Sequence, residues 1–199
     1  MLKKSTVIFF LFWFYGCAFA GVEFWSANNV QMPINDKVKL SIIPELRFKS
    51  DSQGLYYIQN YIGPAVTISK NIELDLFYAL KYSKSNGSWS TYNLMCFDTI
   101  YKIDLISNRF RFEYDISPDT LKFRDQLQIK KMGWSAAGEA FYNFKKCLFD
   151  EGRASISYSI NITRGTDLAL GYLLRMQRQK ANGDWTWTDV YAAGVKVSY

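Results

Sequence analysis

The chain has 199 residues and contains no histidine. That absence removes the usual base of a Ser-based hydrolase and every imidazole ligand of a zinc site. No glycine-rich phosphate loop is present, and no run of lysines and arginines marks a nucleic-acid surface. Cysteine is scarce at three residues. Cys17 lies in the N-terminal leader, which leaves Cys96 in mid-strand and Cys147 in a loop. An exported chain could oxidise such a pair, but these positions favour two free thiols. Beyond the leader no apolar stretch reaches the roughly 20 residues that a membrane-spanning helix needs. Neither metal nor cofactor is expected.

What is present begins with the leader. Lys3 and Lys4 give a positive start, Val7 to Tyr15 an apolar stretch, and Ala18-Phe19-Ala20 a small-residue cleavage site, so residues 1–20 read as a signal peptide. Gly16-Cys17 is the only trace of a lipoprotein site, and Phe14 and Tyr15 suit it poorly. The formal charge is +6 from 24 basic and 18 acidic residues. Without Lys3 and Lys4 the remaining chain has 22 basic and 18 acidic residues, a thinly spread +4. Aromatics at 18% and charged residues at 21% exclude chain-wide disorder.

Strand-like alternation dominates the rest. In Arg109 to Ile116, the residues Arg109, Arg111, Glu113 and Asp115 share one face, while Phe110, Phe112, Tyr114 and Ile116 share the other. Val38 to Phe48, Ile72 to Ser83, Ser155 to Ile162 and Leu168 to Gln177 repeat the pattern. Short turns are expected near Ser69-Lys70-Asn71, Ile106-Ser107, Met132-Gly133 and Arg164-Gly165. Longer loops are expected at Lys49–Gly54, Lys84–Ser90, Ser117–Lys122, Lys145–Gly152 and Arg178–Asp184. Runs of about ten to thirteen residues with such connections predict an all-β fold over residues 36–199. It is an antiparallel up-and-down transmembrane β-barrel of about ten strands, with eight or twelve as alternatives. Residues 21–35 form an extra strand, a luminal plug or an arm; Pro33 and Asn28-Asn29 argue against a regular strand.

A membrane barrel turns its apolar face outward and its charges inward. Trp89, Trp185 and Trp187 beside long loops, and Trp134 beside a short turn, then form two aromatic girdles. The charges become a luminal network of Glu45, Arg47, Arg109, Arg111, Glu113, Arg124, Glu139 and Arg175. Its plainest role is to brace a barrel too narrow for a wide channel; a narrow path or a ligand-gripping lumen is the alternative. The residues Tyr191, Val195, Val197 and Tyr199 resemble the C-terminal assembly signal of outer-membrane proteins, with Tyr in place of the usual Phe. That resemblance implies the barrel assembly machinery as a partner, beside outer-membrane lipid, for a monomer that binds no nucleic acid.

Two further function classes remain open at this point. A soluble, lipocalin-like periplasmic barrel would line an apolar cavity with Tyr78 or Phe112. A hydrolase would use luminal carboxylates such as Glu113, Glu73 with Asp75, or Asp98 with Asp104. Solvated or salt-bridged wall residues account for these acids more simply, so no catalytic residue is assigned.

Several short motifs share an order and spacing along the chain. They are Pro44-Glu45-Leu46-Arg47-Phe48, Leu55-Tyr56-Tyr57, Asn108 to Tyr114, Arg124-Asp125-Gln126-Leu127, Glu139 to Asn143 and Gly183-Asp184-Trp185. From about Trp25 to Tyr199 the chain resembles a family of uncharacterised bacterial outer-membrane β-barrels, a domain of unknown function. The resemblance implies the barrel and its location and carries no activity.

Overall fold

The computed structural model describes residues 22–50, 54–179 and 183–198. The leader and Tyr199 lie outside these residues, and so do the signal-peptide reading and the end of the terminal motif. The described residues form strands and no helix: β1 (Glu23–Ala27), β2 (Asn29–Pro33), β3 (Val38–Lys49), β4 (Gly54–Ser69), β5 (Ile72–Ser85), β6 (Ser88–Ile103), β7 (Ile106–Asp115), β8 (Thr120–Lys131), β9 (Trp134–Asn143), β10 (Leu148–Thr163), β11 (Thr166–Arg178) and β12 (Trp185–Ser198). From β3 to β12 each strand pairs antiparallel with its sequence neighbour, which gives the ten-strand meander expected from alternation.

The N-terminal segment closes this meander. Strand β1 pairs with β3 from Glu23↔Lys49 to Ala27↔Glu45, and β2 continues the same register from Val30↔Ile42 to Pro33↔Lys39. Both also pair parallel with β12, through Glu23↔Val190 and Asn29↔Lys196. β1 and β2 are thus one strand interrupted at Asn28, and the closed ring has eleven strand positions. Of the three readings for residues 21–35, the extra strand is the one found. Its direction makes the count odd, because it enters from the end where β12 begins and runs alongside it.

The interruption has a local cause. Asn28 donates its N–H to the Pro44 carbonyl at 2.9 Å, and Pro44 has no N–H to return. The Asn28 side-chain oxygen accepts the Val195 N–H at 3.0 Å, in place of a backbone carbonyl. Next door, a Cβ on Gly194 would lie 2.2 Å from the Ala27 carbonyl oxygen, so this close approach requires glycine. Pro33, the signal against a strand, ends β2 where no further ladder bond is needed.

Two turns differ from expectation. The Lys84–Ser90 loop is a tight hairpin on Asn86 (φ 51°) and Gly87 (φ 82°), the paired left-handed geometry that suits Asn-Gly. The turn placed at Ile106-Ser107 lies two residues earlier, on Asp104 and Leu105. The longer connections at 116–119 and 144–147 share one end of the barrel with this hairpin, and β3 ends, β4 begins, β11 ends and β12 begins at that same end. Cys147 sits exposed in one of these connections while Cys96 is buried in β6, and both thiols are free.

The two faces separate as the alternation requires. Phe110, Phe112, Tyr114 and Ile116 are exposed on the outside, whereas Arg111 is only 4% exposed within. Tyr78 and Phe112, the expected lining of a lipocalin-like cavity, are 40% and 43% exposed on the outer surface. Their parity places them there, and the enclosed face belongs to the charges. An apolar cluster of Tyr61, Phe77, Ala79, Leu94 and Cys96 fills part of the interior.

Candidate functional site

Strands β6 to β10 bring charges of opposite sign together across the interior. Arg111 donates through Nε and Nη2 to both carboxylate oxygens of Asp98, each at 2.6 Å. The bidentate fork is the geometry that guanidinium and carboxylate favour. In the β7–β8 register Arg111 stands directly opposite Arg124. Two like charges so placed repel, and acids on either side offset them. Glu113 lies 3.1 Å from Arg124 and 3.7 Å from Arg111. Arg124 also reaches Glu139 at 2.6 Å, and Glu139 takes Arg109 at 3.2 Å and Arg153 at 3.3 Å. Arg153 continues to Glu151 at 2.5 Å, which accepts a hydrogen bond from Gln177 at 2.8 Å.

A second group forms where β1 enters the wall. Glu23 accepts from Arg175 at 2.9 Å, from Trp25 Nε1 at 2.9 Å and from the Tyr56 hydroxyl at 2.6 Å. The Trp25 ring faces the guanidinium of Arg47, 3.8 Å from its centroid, with Arg153 at 4.9 Å and Arg175 at 5.4 Å. Arg47 pairs with Glu45 at 2.5 Å and lies 4.1 Å from the Tyr57 ring centroid. Desolvated cations over indole and phenol rings add to the ion pairs.

All eight charges read from the sequence as luminal therefore face the interior and belong to ion pairs. Beyond those eight the network includes Asp98, read from the sequence only as half of an acid pair, together with Glu23, Trp25, Glu151 and Arg153. Glu23 and Trp25 had the parity of an inward face, but only on a segment whose strand character was in doubt. Of the acid pairs, Asp104 is exposed in a turn with φ 47°, far from a luminal role. Asp98 is instead opposite Asp75 in the β5–β6 register, and Glu73 binds Lys102 at 3.2 Å. Asp125 has the opposite parity to Arg124 and takes an outward position between Phe110 and Ala140.

The network and the side chains between it and the end with the longer connections line a vestibule of about 380 Å³. Arg47, Arg124, Arg153 and Phe141 are among its lining residues. Trp89, Trp185 and Trp187 are exposed at that end of the barrel, and Trp134 is exposed at the other. Tyr191, Val195 and Val197 share the outward parity of β12.

A family model described as a protein of unknown function (DUF2490) matches residues 22–186. No curated protein matches the chain.

Proposed function

The chain belongs to the DUF2490 family of proteins of unknown function, and on that premise we propose that it is a small integral β-barrel of the bacterial outer membrane, a bracing and binding element with a plugged lumen. One observation carries this reading: large apolar side chains stand exposed on the outer face of nearly every strand, from Ile62, Leu76 and Phe97 round to Ile156, Leu170 and Tyr191. A largely apolar exterior, interrupted on β8 by Asp125, around a charged interior suits lipid and is costly in water. Strands of the meander run from 10 to 16 residues, enough to cross a bilayer at the usual tilt, which takes roughly 9–11. The four exposed tryptophans supply girdles at both interfaces.

The plug follows from packing. A water-filled pore would leave inward side chains accessible, yet Asp98 is 1% and Phe77 2% exposed. The interior acids are held by arginines, which fits a bracing role better than proton transfer, so we assign no catalytic residue. Lipid and, during biogenesis, the barrel assembly machinery are the partners this reading requires, for a protein that is monomeric and binds no nucleic acid. Detergent-refolded protein is expected to migrate faster on SDS gels before boiling than after. Refolding without detergent to a water-soluble monomer would overturn the reading.

A further inference from the structure

The vestibule carries charge that the network does not use. Its lining holds seven basic and four acidic side chains. Every arginine among them is already engaged: Arg47 with Glu45, Arg124 with Glu113 and Glu139, Arg153 with Glu139 and Glu151, and Arg175 with Glu23. Among the acids, Asp150 is held by Lys146 at 2.9 Å, and Asp115 alone has no ion pair among the described residues. Against it stand Lys49, Lys81 and Lys122, three lysines on three strands that also have no acid within ion-pair distance among the described residues. All three line the same cavity, and half-burial leaves them little water to replace a counter-ion.

We propose that this vestibule binds a phosphorylated solute that enters from the end with the longer connections; the proposal deepens the binding role given above and rests on it. The chemistry selects the ligand class. A guanidinium fork matches a planar carboxylate, and here each fork already holds one. The groups without an acid are ammonium ions, compact point charges on three separate strands, with Lys49 5.0 Å from the Tyr56 ring centroid and Lys81 4.9 Å from that of Tyr92. A phosphate group, with more than one negative charge and oxygens spread in three dimensions, satisfies such a set better than a single carboxylate does. The volume, about 380 Å³, falls within the roughly 300–1,000 Å³ of small-molecule sites.

The test uses inorganic pyrophosphate and isothermal titration calorimetry on the full detergent-folded chain. Heat-modifiable migration of the same sample verifies the barrel first, so failure to fold in detergent counts against the membrane reading alone. Saturable binding that weakens with added salt is expected. The double variant K81Q/K122Q should lose at least tenfold in affinity, while Lys131→Gln, exposed at the far end, should leave it unchanged. With folded protein, three outcomes overturn the proposal: no saturable binding, the parent's affinity in K81Q/K122Q, or an equal loss in Lys131→Gln.

Discussion

Arg111 shows how single residues hold the interior together. It is buried, stands opposite another arginine, and is tolerable only because Asp98 grips its fork and Glu113 lies between the two cations. Arg111→Met should therefore cost more than the lost pair alone, because Asp98 is left charged and buried. Breaking a buried pair on one side costs about 3–5 kcal/mol. Replacing both partners, in Asp98→Asn/Arg111→Met, should return a large part of that loss by removing the orphaned charge. Urea unfolding of detergent-folded protein, followed by tryptophan fluorescence, measures both. A double variant less stable than the single one would show that the ion pair is not what makes Arg111→Met costly. The acids once considered as a catalytic pair acquire a different meaning on the same ground: Asp98 is a counter-ion, and Asp104 shapes a turn.

At the scale of elements, closure depends on the strand made by β1 and β2. It bonds parallel to β12 and antiparallel to β3, and Gly194 lets β12 approach Ala27 closely enough for the ladder to form. A side chain at Gly194 must push that strand aside, so Gly194→Val should lower stability by about 1–3 kcal/mol, the usual cost of overpacking, and broaden the unboiled band on SDS gels. An unchanged unfolding midpoint would mean that the N-terminal strand does not close the barrel. This element was the least legible in the sequence. Alternation is local and gave the ten meander strands, since a period of two decides which face is enclosed. A parallel partner 167 residues away leaves no local trace, and Pro33 and Asn28 both signal a break. Arg153 and Glu151 were hidden differently. They share the parity of Ser155, but the polar stretch Lys145–Gly152 reads as a loop, and a bulge between Phe149 and Glu151 disturbs the alternation where β10 begins. The Lys84–Ser90 connection looked long because its residues are polar, although Asn86-Gly87 is the strongest short hairpin signal there is.

For the molecule as a whole, the question is whether the barrel conducts. Eleven strand positions enclose a space only modestly wider than the eight-stranded barrels that side chains fill completely. Here the filling is Trp25 among Arg47, Arg153 and Arg175, with the Arg111–Asp98 pair and the Phe77 cluster beside them. None of these groups carries the wall, whose backbone bonds run from strand to strand. Removing the filling should therefore open a path without opening the ring. The unmodified protein is expected to give no single-channel steps in a planar bilayer. The variant W25A/R47S/R153S should give small, discrete steps, because water entering the cleared volume solvates Glu45 and Glu151, whose arginine partners are gone. Those unpaired acids should also make the current favour cations, so its reversal potential in a salt gradient should shift toward the cation value. Steps of equal size from the unmodified protein would show that the packed interior is no barrier, and the bracing role would then give way to transport.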